Sequence, residues 1–394
     1  MTASAETCAA SIPLVTGSMN KKVLLLSVSA GAGHVRAAEA LRCYAEEHAG
    51  VSAMHLDVMQ FVPASFRKIY ADFYIQLVNK HPQLWGMLYT ASSEARPNSP
   101  IQKLRRAMER LNTRALRKAI GDFGPDTIIC THFLPAEILM HEIRRDRLHV
   151  PVWAQVTDFD LHRMWVVPHM AGYFAANEEI AFRMQAAGIE AKNIHATGIP
   201  VMPAFAASLD RAACAAEAGV DPQRQVYLLM GGGAGMGKLE RVAEQLLAPE
   251  GEFQLIVLAG RNTATLDALQ GLAARYPGRL FPRGFTDHVE RLMACADVVI
   301  TKPGGLTTAE CLAMGKPMIV NAPIPGQEER NADFLLEQGA ALKAIDDIAL
   351  RWRIRQLVAQ PDQLDRMAQR ARALGKPHAA RDVVKIVLDQ LAMI

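Results

Sequence analysis

Short, unbroken apolar runs recur along the whole chain, separated by stretches with helical patterning. The first half holds KKVLLLSV, DTIICTHF, VPVWAQVTD, AGYFAAN and NIHATGIPV, and the second half QVYLLMGGG, QLIVLAG, ADVVITKPGG and KPMIVNAP. A run without polar alternation is a strand buried on both faces, and strands that alternate with helices pair in parallel beneath helices on both sides. The fold class is therefore α/β. At 394 residues the chain exceeds the size at which one hydrophobic core stops growing, so two doubly wound, Rossmann-like domains are expected, facing each other across a cleft. Pro200, Pro203 and an alanine-rich polar segment reaching Gln223 mark the junction. The expected units are 20–202, a linker at 203–223, 224–376, and a last helix in 377–394 that can cross back onto the first domain.

Composition excludes several classes. A net charge of +3 makes no demand for a nucleic acid partner, and six cysteines without a CxxC pair, or a histidine at zinc-ligand spacing, suit a reducing compartment and buried thiols. Residues 1–20 lack a basic stretch ahead of a continuous apolar core, and no apolar run reaches the ~18 residues of a spanning helix. The expectation is a cytosolic protein, or one attached to a membrane face.

Ligands of open α/β sheets collect at the carboxyl ends of the strands, which directs attention to the turns. The first is SVSAGAGHVRAAEAL, Ser27 to Leu41. A dinucleotide fingerprint needs a third glycine where Arg36 stands, and a P-loop needs a lysine after its glycines, which is missing. What remains is an imidazole, His34, near a helix N-terminus, where the dipole favours its neutral, proton-accepting form. A histidine that merely caps the helix is the plainer alternative.

The second turn, MGGGAGMGKLE, has the Walker separation between Gly232 and Gly237-Lys238, but Leu239 replaces the hydroxyl that would hold magnesium. Its glycines still suit close backbone approach to a phosphate or diphosphate. The third and most informative run is Val298 to Ala332. There a strand ends in Lys302-Pro303-Gly304-Gly305, and a helix is expected to start near Thr307-Thr308 with free amides for a diphosphate. One turn on, Glu310 can meet the vicinal hydroxyls of a ribose. Gln327 and Glu328 follow in a proline-bounded loop, as side chains of the kind that grip sugar hydroxyls.

In this order these pieces resemble the C-terminal domain of the glycosyltransferases that include MurG and the monogalactosyldiacylglycerol synthases. The diacylglycerol branch is the more similar, through the turn at 31–34, the following AAEAL, VTDFDLHRMW at 156–165 and GIPVMPAF at 198–205. The resemblance covers roughly residues 20–390. It implies a GT-B fold and an inverting transfer of a hexose from a UDP-sugar to diacylglycerol or a related lipid, with no tightly bound metal. It also implies roles: His34 as the base, Glu310 on the ribose, and Gly232, Gly233, Gly304, Gly305, Thr307 and Thr308 on the diphosphate. Gln327 and Glu328 would read the sugar, and Phe285, in RGFTDH, would lie near the uracil. The family's first turn commonly reads Gly-Gly-Gly-His, and Ala32 departs from it.

Asp158 and Asp160 form an Asp-x-Asp pair of the kind that holds a metal in the other large glycosyltransferase fold. In a GT-B chain the better reading is that Asp158 orients or polarises a group such as His34. His162 and Trp165 either line the acceptor cleft or pack in the core. Phe61 to Lys118 interleaves aromatics with Arg105, Arg106, Arg110, Arg114, Arg117 and Lys118, which suits either the solvated face of an ordinary surface helix or an anionic membrane surface. The resemblance implies the latter, with the protein cytoplasmic and peripheral at the inner face of the membrane. Two rivals stand beside the transferase: a UDP-N-acetylglucosamine 2-epimerase on the same fold, and a binding module without catalysis. The sequence leaves the sugar and the lipid open.

Overall fold

The computed structural model describes residues 20–29, 31–62, 113–231, 239–248 and 253–393. In the first half the described elements are β1 (Lys21–Ser27), α1 (Ala32–Glu46), β2 (Val51–Asp57), α2 (Thr113–Phe123), β3 (Thr127–Cys130), α3 (Phe133–Arg144), β4 (Val152–Gln155), β5 (Gly172–Phe174), α4 (Glu178–Ala186) and β6 (Ile194–His195). The second half continues with α5 (Arg211–Ala218), β7 (Val226–Met230), α6 (Leu239–Leu247), β8 (Gln254–Leu258), α7 (Thr263–Ala273), β9 (Leu280–Arg283), α8 (Val289–Cys295) and β10 (Val298–Thr301). It ends with α9 (Gly305–Ala313), β11 (Met318–Asn321), α10 (Gln327–Glu337), β12 (Ala341–Ala344), α11 (Asp347–Ala359), α12 (Pro361–Leu374) and α13 (Ala379–Leu391).

The strands form two six-stranded parallel sheets, ordered β2-β1-β3-β4-β5-β6 and β12-β11-β10-β7-β8-β9. This is the two-sheet α/β arrangement expected from the alternating runs. In the first sheet the chain moves outward from β1 to β2 and returns to the opposite side of β1 with β3. In the second it leaves β7 through β8 and β9 and returns with β10. Each sheet therefore has a topological switch point, between β1 and β3 and between β7 and β10, and the crevice at such a point is where α/β proteins bind ligands.

Side chains alternate between the two faces with a period of two. On one face of the first sheet, Val23, Leu25, Ile129, Trp153 and Phe174 pack with Leu41 of α1 and with Val383, Val384 and Val387 of α13. On the other, Leu24, Leu26, Ile128 and Val152 belong to a larger core that continues into Leu228, Val299 and Met318 of the second sheet. The opposite face of the second sheet, with Leu229, Val257 and Ile300, is covered by α6, α7 and α11.

The helix α13 thus completes the core of the first half. The chain reaches it through Gly375 and Lys376, passing over Gly198. Gly198 has φ +100°, and a Cβ there would lie 2.6 Å from that of Lys376, so a glycine satisfies both the backbone conformation and the crossing. The expected linker segment contains α5, which is capped by Asp210 and tied to the second half by Arg211, whose guanidinium meets both Asp297 carboxylate oxygens at 2.8 and 2.9 Å. Among the described residues, no helix is long and apolar enough to cross a membrane.

Trimming Val384 to alanine removes two methyl groups from the α1–α13 contact. It should lower unfolding stability by about 2 kcal/mol, read as an earlier midpoint in chemical denaturation.

Candidate functional site

The carboxyl ends of β1 and β3 bring His34 to Thr131. Gly31 caps α1 in extended conformation with no side-chain bond, so the first amides of α1 stay open and His34 occupies its first turn. Nδ1 of His34 lies 2.9 Å from the Thr131 carbonyl and 2.9 Å from the Thr157 hydroxyl. A carbonyl only accepts, so Nδ1 carries the proton and Nε2 holds the lone pair. Thr131 also donates its hydroxyl to the His34 carbonyl at 2.8 Å, fixing ring and backbone together. Burial holds the His34 pKa below the ordinary histidine value, opposed by the negative field of Asp158. The result is a neutral imidazole able to accept a proton at Nε2.

His132 stands edge-on to His34, ring centroids 4.6 Å apart, and also contacts Phe133 and Trp165. Its Nδ1 accepts from the Leu134 amide at 3.0 Å, and burial drives its pKa well down. His162 and Trp165 are both buried, and His162 caps the short turn Arg163–Trp165 through the Met164 amide. Packing is thus the role visible for this pair.

Opposite, Pro303 and Gly304 end the strand path of β10, and α9 begins at Gly305, two residues before the expected start at Thr307. The reason is steric. A Cβ at residue 305 would lie 2.0 Å from the Thr157 carbonyl oxygen and 2.9 Å from Asp158 Oδ1, so only glycine can take the first helical position against this loop. Gly33 and Leu306 also meet, with 3.6 Å between the Leu306 Cβ and the place of a Cβ on residue 33. The histidine-bearing turn and the N-terminus of α9 therefore belong to one site. Thr307 lies in the first turn of α9, and the adjacent Thr308 is buried with its hydroxyl unbonded.

Glu310, in the next turn, is 8% exposed, and burial pushes its carboxyl up to about 7 against the pull of Arg36 on α1. Arg36, which ruled out the dinucleotide fingerprint, thus supplies a positive field across the cleft.

Gln327 and Glu328 are the first residues of α10 rather than part of a loop. Gln327 donates Nε2 to Asp158 Oδ1 at 2.6 Å, and Glu328 accepts the Ile324 amide at 2.6 Å. Burial raises the Asp158 carboxyl above the usual range, while His34, Gln327 and Asn331 favour its charged form. Asp160 is taken up by Arg183 at 3.4 Å and Arg330 at 3.3 Å. Phe285 is half exposed with the Arg261 guanidinium 3.9 Å from its ring centroid. Gly232 and Gly233 lie outside the described residues, as do 63–112 of the basic aromatic stretch. Of its described part, Arg117 pairs with Glu142, Lys118 pairs with Asp122, and Arg114 is exposed.

Sequence reasoning missed Thr131, His132, Thr157 and Asn331. The first two follow directly on β3, so the rule that ligand groups gather at strand carboxyl ends could have found them. Asn331 stands four residues after Gln327, on the same helical stripe.

Two six-stranded parallel sheets, with a histidine turn at the end of one meeting a glycine-started helix of the other, are the GT-B fold. The family model described as monogalactosyldiacylglycerol (MGDG) synthase matches residues 34–201, and the glycosyltransferase family 28 C-terminal domain matches 226–385. The chain belongs to this monogalactosyldiacylglycerol synthase family of hexosyltransferases. It is 30% identical over 386 residues to the "Probable monogalactosyldiacylglycerol synthase 2, chloroplastic" of Oryza sativa subsp. japonica, across 93% of this chain and 80% of that protein. It is 26% identical over 378 residues to the processive diacylglycerol beta-glucosyltransferase of Bacillus subtilis (strain 168), across 95% and 97%. Among solved structures, Acinetobacter baumannii MurG superposes with a TM-score of 0.60 at 17% identity, covering 94% of this chain and 99% of that one, a likeness of fold.

Replacing Asp158 by asparagine removes the negative field that opposes burial at His34. The His34 pKa should then fall further below 6.5 in an NMR pH titration of the imidazole, whereas an unchanged value would mean that Asp158 does not act on it.

Proposed function

We propose that the protein transfers a hexose from UDP-glucose or UDP-galactose to diacylglycerol or a related lipid, with inversion, at the cytosolic face of a membrane. The observation that carries this reading is the meeting of His34, whose Nε2 holds the lone pair, with the N-terminus of α9, whose cap residue Gly304 makes no side-chain bond. The acceptor hydroxyl gives its proton to Nε2 as its oxygen bonds to the anomeric carbon, and the bond from that carbon to UDP breaks. The amides at the start of α9, with Gly304, Gly305, Thr307 and Thr308, and the turn of Gly232 and Gly233, take up the diphosphate charge. This arrangement needs no tightly bound metal. One displacement on one face of the sugar inverts the centre. Glu310 holds the ribose, Phe285 lies beside the uracil, and Gln327 and Glu328 read the sugar.

Membership of a hexosyltransferase family speaks against the epimerase reading, and so does the naming of its relatives as diacylglycerol glycosyltransferases. Transfer of N-acetylglucosamine to a lipid-linked cell-envelope acceptor is the second reading. For the membrane contact, Phe61 to Lys118 supplies the basic, aromatic stretch, with Arg114 exposed at the start of α2.

The test offers UDP-glucose, UDP-galactose and UDP-N-acetylglucosamine in turn, with and without anionic liposomes containing diacylglycerol. UDP release that needs the lipid and yields hexosyl-diacylglycerol supports the reading. In His34→Ala, turnover should drop by on the order of 10²- to 10⁴-fold while the Kd for UDP stays nearly unchanged. Lipid-independent release from UDP-N-acetylglucosamine with free N-acetylmannosamine would replace it by the epimerase.

A second outcome follows from Glu310. Its carboxyl, raised to about 7 in the free protein, becomes ionised when ribose hydroxyls donate to it, so UDP binding at pH 7 should release roughly half a proton. Calorimetry in buffers of different ionisation enthalpy reads this, and Glu310→Gln should abolish it.

A further inference from the structure

One stripe of α10 grips the loop that follows β4. Gln327, Asn331 and Phe334 follow at spacings of four and three, which places them on one side of a helix. Gln327 bonds Asp158, and the Phe334 ring stacks on Phe159 with centroids 4.8 Å apart. Between them Asn331 is completely buried and uses both ends of its amide. Oδ1 accepts from the Phe159 backbone at 2.8 Å, and Nδ2 donates to the Pro303 carbonyl at 3.0 Å. A backbone N–H can only donate and a carbonyl only accept, so these partners fix which way round the amide lies. Asn331 also favours the charged form of the Asp158 carboxyl.

The two backbone groups that Asn331 joins belong to the two sides of the reaction. Phe159 is two residues from Thr157, which orients the His34 ring. Pro303 is two residues from Gly305, where the diphosphate helix begins. Gln327 can give up Asp158 to a sugar hydroxyl, whereas the Asn331 amide is fully buried and committed to backbone at both ends. An alanine would strand both backbone groups, and an aspartate would turn an acceptor toward the Pro303 carbonyl and a second carboxylate toward Asp158.

We propose that Asn331 is a positioning residue for the transfer step: it sets the separation between His34 and the leaving-group end of the donor by holding the Phe159 amide and the Pro303 carbonyl on one side chain. The proposal rests on the transferase reading above. Misplacing reacting groups by about 1 Å can cost 10²-fold in rate while each half-site still binds its own ligand. This predicts a split between turnover and binding that a residue holding only the fold would not produce.

The experiment compares Asn331→Ala and the isosteric Asn331→Asp with wild type, measuring kcat and KM for the UDP-sugar, the Kd for UDP by calorimetry, and Tm. Arg330→Ala, which removes the neighbouring exposed pair with Asp160, is the control for loss of an ordinary cross-cleft contact. The expected result is kcat down roughly 10- to 100-fold in both Asn331 variants, with KM and Kd within about threefold and the control near wild type. A wild-type kcat in Asn331→Ala overturns the proposal. So does a joint loss of kcat, KM and UDP affinity that tracks a fall in Tm. If wild type itself turns over no UDP-sugar with any lipid, the transferase reading fails and the proposal with it.

Discussion

The carbonyl oxygen of Thr157 sits 2.0 Å from where a Cβ on residue 305 would have to be, and much of the site hangs on that approach. Because residue 305 is glycine, the loop after β4 can press directly on the N-terminus of α9. That brings Asp158 to Gln327 and Asn331, and lays Phe159 on Phe334. The same threonine uses its hydroxyl to hold His34. One residue thus helps to orient the imidazole with its side chain and sets the spacing of the two halves with its backbone. A larger side chain at 305 would disturb both together.

The electrostatics of the site follow from burial more than from pairing. His34, His132, Asp158, Glu310 and Glu328 all have their charged forms disfavoured by loss of water, the largest influence on each; His34 adds to it at His132, while nearby opposite charges oppose it at the other four. Taken together, the cleft resists holding charge of its own. A site of this kind leaves its polar interactions to be completed by what binds. Arg36 and Lys302 supply positive fields, Arg36 reaching Glu310 from the other half and Lys302 acting on Glu328.

The parts legible in the sequence were those whose signal is local. Interior strands showed themselves as unbroken apolar runs, since both of their faces are covered. Three strands that gave no such run, β2, β9 and β12, all lie at sheet edges. β2 is half-buried along its whole length, and β9 contains Pro282, which an edge strand tolerates. In the same way, His34, Gly304, Gly305 and Glu310 could be singled out from turn and helix chemistry. Thr131, Thr157 and Asn331 could not, because their roles come from backbone carbonyls and amides brought together from distant positions. The helix start at Gly305, rather than near Thr307, likewise depends on a contact with a loop far away in sequence.

The return of α13 to the first half has a consequence for how the chain acquires its structure. Lys21, at the start of β1, bonds the Leu388 carbonyl across 367 positions of sequence, and the apolar cluster around β1 and α1 is closed by Val383, Val384 and Val387. During synthesis the first sheet must therefore wait, with that face open, until the entire second half has been made. The second sheet has no such debt to later residues of the first. Vectorial synthesis would normally favour the earlier half, but here the later half can consolidate first and deliver the helix that finishes its predecessor.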